Sequence, residues 1–356
     1  MTPILFSSSS HYMDAFHEGL IELLNHDSLG TLILVCANAT FDPLIFDATH
    51  SALLTQFERL RTRYTEELKL GHQIKESDED LLVFLKMASI GFENLSSTAF
   101  RKDAEWEIQF NHVRAFRPQR MSGQVATDIK SPFNQDGFHF NKPFMQKECF
   151  WQGILRKRSV SLFYNKYPFI EYHGLLLPDR EKSLPQFLQK KYHHYVWQLA
   201  EEMEASLDGV GFGYNAYGAH ASVNHLHFQM FLRPEGLPVM QGKWQHNGGN
   251  IPYPVQCENM NNCEQSWEYI EALHAAKIPY NLIYLPGKIL IFPRQFQGSF
   301  QQSDWSGGFS WYEMGGGTIT FNRQDYQGLV KEDILEEFKK LRLNNEFMPV
   351  SGTTFA

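Results

Sequence analysis

Residues 222–233 read Ser-Val-Asn-His-Leu-His-Phe-Gln-Met-Phe-Leu-Arg, with His225, His227 and Gln229 alternating with apolar neighbours. On a β-strand this spacing puts side chains on one face, roughly 6–7 Å apart, so the pattern predicts a shared face for Val223, His225, His227, Gln229 and Phe231. Two imidazoles and an amide on one surface suit nucleophilic attack on phosphorus. A neutral imidazole is a good nucleophile near pH 7 and leaves readily from a phosphoramidate. An amide at position 229 can donate a hydrogen bond to a phosphoryl oxygen and cannot shuttle a proton. That favours transfer to phosphate over hydrolysis. A second chemistry, zinc held by His220, His225 and His227, has the amide at 229 and the lack of cysteine spacing against it.

Three arginines, Arg114, Arg117 and Arg120, lie close together in Asn111-His-Val-Arg-Ala-Phe-Arg-Pro-Gln-Arg120. Guanidinium forks match phosphate oxygens, so the cluster is a candidate for neutralising a phosphorylated ligand, with Arg114 foremost. Lys142 and Lys166 are candidates on the same ground. Gly315-Gly-Gly317 lacks the lysine and hydroxyl residue of a phosphate-binding P-loop and reads as a bulge or close backbone packing.

Around these residues stands an ordinary globular chain. It has 356 residues and a formal charge of -8. A general nucleic-acid binder would be basic, so the partner expected is a small phosphorylated ligand in a local basic pocket, not a nucleic acid. The N-terminus has neither a basic n-region nor a long apolar h-region, and no apolar run is long enough to span a bilayer. The reading is a cytoplasmic protein with no membrane partner; the residues leave its oligomeric state open. Cys36, Cys149, Cys257 and Cys263 form no disulfide framework and no zinc set.

The elements that must position the histidines come in sections. Helical spacing over 11–25, 51–70 and 77–94 makes residues 1–105 mostly helical, with Gly30–Ala37 read as a strand. From about Trp106 short β-like runs take over. Ser159–Tyr164 and His173–Leu177 read as strands about the turn at Asn165–Pro168, and 184–207 as a helix with Pro185 in its first turn. Tyr164-Asn165 followed by Gly174–Pro178 is echoed by Tyr280-Asn281 followed by Gly287–Pro293, which suggests a duplicated unit with one copy armed. The divisions expected are 1–105, a catalytic unit at 106–240, a degenerate second unit at 241–330, and a C-terminal helix and tail at 331–356.

The run Gly213-Tyr-Asn-Ala-Tyr-Gly-Ala-His-Ala-Ser-Val-Asn-His-Leu-His-Phe-Gln229 resembles the signature of the histidine-triad superfamily, in the transferase branch where glutamine replaces the last histidine. Its nearest likeness is to the GDP-hexose phosphorylases. Pro132-Phe-Asn-Gln-Asp-Gly-Phe-His-Phe-Asn-Lys142, Ile278-Pro-Tyr-Asn-Leu-Ile283 and Trp311-Tyr-Glu-Met-Gly315 agree with the same family, in its order. The likeness covers roughly 106–330, and the first hundred residues carry little of it.

The resemblance implies an α+β fold with histidine-triad-like antiparallel sheets and flanking helices, the two units forming one continuous sheet. It implies phosphorolysis of a nucleoside diphosphate hexose by inorganic phosphate, with no cofactor and no metal. His227 would carry the nucleotide, His225 would orient the site, and Gln229 would stabilise phosphoryl charge. Asn215, Ser222 and Asn224 fall where the superfamily holds phosphate oxygens, although such residues before a strand also simply make turns. Arg114, Lys142, Asn165 and Glu313 complete the expected substrate-binding set. The chain departs from the family in having His173-Gly174 where Gly-His is common, and in Tyr312, which separates Trp311 from Glu313. A dinucleoside polyphosphate phosphorylase, a nucleotide hydrolase and a nucleotide-sugar-binding protein without chemistry remain alternatives.

Overall fold

The computed structural model describes residues 6–117 and 125–348. The opening section is helical: α1 (Ser9–Leu23), α2 (Leu29–Ala39), α3 (Pro43–Lys69) and α4 (Asp78–Ile90). Each start is fixed locally. Ser8, Ser28, Asp42 and Ser77 accept hydrogen bonds from backbone N–H groups of the first turns of α1 to α4, and Pro43 opens α3 with its φ already helical. α2 replaces the strand expected over Gly30–Ala37. Its residues are buried on nearly every side, so the sequence shows an unbroken apolar run with no 3.6-residue period, which periodicity alone cannot tell from a buried strand.

Eight strands then build one sheet: β3 (Cys149–Leu155), β4 (Arg158–Tyr164), β5 (Gly174–Pro178), β6 (Val210–Asn215), β7 (Phe228–Leu232), β8 (Glu258–Met260), β9 (Tyr280–Leu285) and β10 (Lys288–Pro293). Their spatial order is β3-β4-β5-β7-β6-β9-β10-β8, every neighbouring pair antiparallel. A smaller sheet joins β1 (Ala99–Asp103) and β2 (Trp106–Phe110) to β11 (Gly317–Thr320), with β2 and β11 parallel. The fold is α+β. Strands on both sides of residue 240 share the large sheet through β6 and β9, where Asn215 faces Asn281. The echoed Tyr-Asn pairs fall at different places, for Tyr164 ends β4 whereas Tyr280 opens β9.

The large sheet is buried on both faces. Along β7, Phe228, Met230 and Leu232 enter the core shared with α1, α2, α6 (Lys190–Glu204) and α7 (Cys263–Ala275), while Phe231 joins the opposite core around Trp311. Gln229 alternates onto that second side. The helix expected over 184–207 begins only at Lys190, because the backbone before it is committed elsewhere. Leu184 carbonyl accepts from Leu226 N–H at 2.8 Å, and Gln186 N–H donates to Asn224 Oδ1 at 3.0 Å. Pro185 therefore sits in a connector that braces the histidine segment.

Gly213 on β6 allows the closest packing in this region. A Cβ there would lie 2.2 Å from two ring carbons of Trp311, the indole that stacks on Phe231 with centroids 5.0 Å apart. Gly213→Val is expected to lower stability by about 1–3 kcal/mol through overpacking. Equilibrium urea unfolding checks this; an unchanged midpoint would contradict the contact.

Candidate active site

His225 and His227 precede strand β7, which begins at Phe228, so the expected five-residue face is only partly realised. The reason is local. His225 is turned away from the cavity into a socket of backbone: its Nε2 lies 3.0 Å from the Arg180 carbonyl, and its Nδ1 accepts from Phe140 N–H at 3.3 Å. With both nitrogens engaged, His225 presents no free lone pair. Burial pulls its pKa to about 4.

His227 does face the cavity. Its Nδ1 lies 2.7 Å from the carbonyl of His225, a contact that requires the proton on Nδ1 and leaves the lone pair on Nε2. Gln186 fixes the backbone of the same residue, accepting from His227 N–H at 2.9 Å and donating to the His227 and Asn215 carbonyls. Burial lowers the His227 pKa to about 4, so the ring is neutral at physiological pH. The result is a neutral imidazole with one nitrogen anchored and the other available.

Gln229 is oriented by two donors. His173 Nε2 and Trp311 Nε1 each lie 3.0 Å from its Oε1. Indole N–H can only donate, so the oxygen must face these groups and the amide N–H groups turn to the cavity. His173 in turn takes Phe169 N–H on its Nδ1 at 3.5 Å, and Asn165 Nδ2 lies 3.4 Å from the same nitrogen. Burial with Arg114 nearby drives the His173 pKa to about 3, consistent with a neutral ring. The displaced His173-Gly174 order was the sequence signal for this contact. Gln186 carried no such signal, since a polar residue beside Pro185 reads as a helix start.

The cavity has a volume of 1060 Å³, at the upper end of the roughly 300–1,000 Å³ usual for ligand sites. His227, Gln229, Asn215, Ser222, Asn224, Asn165, Arg114, Lys166 and Glu313 all line it. Asn215 Oδ1 is taken by Asn281 Nδ2 at 2.7 Å and Trp311 N–H at 2.8 Å, which leaves its amide nitrogen for the cavity. Asn224 is spent on structure, tying Gln186 N–H to the carbonyls of Ser131 and Pro132. Arg114 is buried, with Nη1 on the Tyr167 carbonyl, its guanidinium over Phe169 and its Nε without a partner. Burial, with Arg117 adding repulsion, lowers its pKa to about 9. Glu313, in the short helix α8 (Trp311–Met314), caps Ser310 through Oε2; burial raises its pKa while Arg114 draws it down.

Lys142 does not reach the cavity. Its ammonium is held outside by the Gln135 carbonyl at 3.1 Å. Arg120 lies outside the described residues, and Arg117 lines the cavity beside Arg114. Among the described residues no group of three His, Cys, Asp or Glu side chains is placed to hold a metal ion. The first hundred residues, which carried no site signal, supply one wall through Ser28, Gly30, Lys75, Glu76, Ser77, Glu79 and Asp80.

The depressed imidazole pKa values set a pH dependence. His173, His225 and His227 titrate near 6.5 when unfolded and near 3 to 4 when folded, so the unfolded chain binds more protons in that interval. Their stabilisation is complete above about pH 6.5 and is lost as pH falls towards 4. Glu313, whose pKa is raised, pulls the opposite way only near the carboxylate range. The urea midpoint should be flat above pH 7 and decline steadily below pH 6.5. A midpoint that holds constant to pH 5 would show that these rings are not neutral and buried.

Residues 101–231 match a family model described as GDPGP1-like, N-terminal domain. Over 132 residues the chain is 34% identical to GDP-D-glucose phosphorylase 1 of Danio rerio, an alignment that covers 37% of each chain. Over 205 residues it is 27% identical to GDP-L-galactose phosphorylase 2 of Arabidopsis thaliana, covering 50% of this chain and 47% of the relative. The chain thus spans under half the length of these relatives. Among solved structures, yeast Ap4A phosphorylase in complex with Ap4A aligns with a TM-score of 0.46 and 14% identity, over 76% of this chain and 100% of that one. The resemblance to the GDP-hexose phosphorylases is therefore shown over the segment that carries His225, His227 and Gln229.

Proposed function

We propose that this protein is a nucleotidyltransferase that cleaves a GDP-hexose with inorganic phosphate, giving GDP and hexose 1-phosphate through a nucleotidylated His227. The observation that carries this reading is the anchored tautomer of His227, whose Nδ1 lies on the His225 carbonyl while Nε2 faces the cavity. The similarity to enzymes named for GDP-D-glucose and GDP-L-galactose supports the choice of substrate class.

In the first displacement Nε2 attacks the α-phosphorus of the GDP-hexose. The Nε2–P bond forms as the bond from phosphorus to the bridging oxygen breaks, and hexose 1-phosphate leaves with that electron pair. The ring gains positive charge, and the His225 carbonyl on Nδ1–H stabilises it. In the second displacement a phosphate oxygen attacks the same phosphorus, the P–N bond breaks, GDP departs and Nε2 recovers its lone pair.

The remaining residues divide this work by position. Gln229 N–H and Asn215 N–H face the cavity as neutral donors for non-bridging oxygens, and the Ser222 hydroxyl lines the same wall. Arg114, buried with an unpartnered Nε, supplies charge for the diphosphate, and Asn165 steadies His173. His225 acts through its carbonyl and its socket, as a positioning residue. Asn224 holds the connector in place, and Lys142 has no part. Residues 241–330 bring no nucleophile but frame the site with Asn281, Trp311 and Glu313. Donors fixed before the substrate arrives need no reorganisation as charge develops, which is the main way such a site would accelerate transfer.

Incubating the protein with GDP-glucose, GDP-mannose, GDP-L-galactose or diadenosine tetraphosphate in the absence of phosphate should give, with one of the GDP-hexoses, a covalent GMP adduct visible by intact mass. Adding phosphate should discharge it as GDP. His227→Ala should form no adduct and lose roughly 10⁴-fold or more in turnover, as expected on removing a nucleophile. An AMP adduct would instead select the dinucleoside polyphosphate reading, and full activity in His227→Ala would end the nucleophile assignment. Gln229→His, which restores a proton-carrying group, should raise the share of GMP released to water relative to GDP formed; an unchanged ratio would count against the amide's role.

A further inference from the structure

One wall of the cavity joins Ser28, Gly30 and Asp80 of the helical section, outside the matched segment 101–231, to Lys147 and Lys166 from within it, and it has a chemistry of its own. Asp80, in the first turn of α4, forms a half-buried ion pair with Lys166, Oδ1 to Nζ at 2.6 Å. Gly30 of α2 lies against this pair. A Cβ at position 30 would sit 3.2 Å from Asp80 Oδ2 and 3.5 Å from Lys166 Nζ, so the absence of a side chain leaves room for the pair at the cavity surface. Beside it, Lys147 Nζ donates to Ser28 Oγ at 2.8 Å. The wall therefore offers a carboxylate that accepts and ammonium groups that donate, with the Ser28 hydroxyl holding Lys147 in place.

A carboxylate on this wall would repel a phosphate. The mixture suits a polyol, whose hydroxyls donate and accept at once. The same loop that carries Lys166 carries Asn165, which reaches His173 and through it Gln229, and the loop is held to α2 by Asn38 Nδ2 on the Asn165 carbonyl at 2.9 Å. The two ends of the cavity are thus joined by one short connection.

We propose that the N-terminal helices help to build the hexose subsite, in which Asp80 of α4 and its partner Lys166, with Lys147 beside them, read the hydroxyls of the departing hexose 1-phosphate. This rests on the transferase reading above. Asp80 and Lys166 are specificity residues here, in contact with the leaving group.

The test separates hexose recognition from nucleotidyl transfer. Exchange of labelled phosphate into GDP uses His227 and both phosphates but no sugar: GDP and the enzyme form the GMP adduct and free phosphate, and labelled phosphate reverses the step. Asp80→Asn is expected to lower kcat/KM for the preferred GDP-hexose by about 10- to 100-fold, the loss of a charged hydrogen bond, and to change the ranking among GDP-glucose, GDP-mannose and GDP-L-galactose. Its GDP–phosphate exchange should stay within about twofold of the parent, a band narrower than the loss of one neutral hydrogen bond. Gly30→Ala, which favours the helix but presses on Asp80, should show the same split more weakly and guards against misfolding as the cause. Equal loss of exchange and of GDP-hexose cleavage in both variants, or no loss in either, would overturn the hexose subsite. Absence of exchange in the parent protein would overturn the transferase reading and this proposal with it.

Discussion

The contact between His227 Nδ1 and the carbonyl of His225 governs the rest of the site. A buried imidazole of ordinary basicity has two tautomers, and only one of them points a lone pair at the cavity. The carbonyl selects that tautomer, and burial keeps the ring neutral. The carbonyl must itself be held, which is why His225 spends both ring nitrogens on backbone groups and why its side chain turns out of the face that strict alternation would give it.

A second constraint acts on Gln229 from across the sheet. Arg294, at the end of β10, donates to Asn281 Oδ1 at 3.2 Å and to the Phe309 carbonyl; Asn281 holds Asn215; Asn215 takes the N–H of Trp311; and the Trp311 indole takes Gln229. Each of these groups lies within the core, where an unmet partner costs about 1–3 kcal/mol, so the members constrain one another strongly. Residues after 240 thereby help to fix the orientation of an amide that belongs to β7. Pairing of β6 with β9 sets the distance between Asn215 and Asn281, and the close approach of Trp311 to Gly213 sets the position of the indole.

The sequence singled out His227 and Gln229, both of which line the cavity, because a His-x-His-x-Gln pattern embedded in apolar residues has few structural explanations. It disclosed the helical opening and the strands at Ser159–Tyr164 and His173–Leu177 through capping serines, turn residues and runs of branched and aromatic side chains. It misled where burial erased the periodicity on which such reading depends, as in α2, or where tertiary bonds claimed a backbone that propensity would have made helical, as at Pro185. It hid Gln186, whose importance comes from contacts 29 and 41 residues away. Lys142 shows the converse: a residue in a matching segment can still point away, because a neighbouring carbonyl competes for its ammonium.

One buried cation, Arg114, lines the cavity, and a second, Arg294, lies in the core. Arg114 and Arg294 are both desolvated, each has an N–H without a protein partner, and the carboxylate of Glu313 interacts with both without forming a close ion pair. Such an arrangement is costly for the free protein, since a buried charge is compensated only by a paired and hydrogen-bonded neighbour. On the transferase reading a diphosphate would complete Arg114, so part of the favourable free energy of binding would come from relieving a defect already built into the fold. On the same reading, with guanidinium charge nearby, the amide at position 229 would need only to direct a phosphoryl oxygen, whereas a proton carrier there would give water a route to the nucleotidyl group.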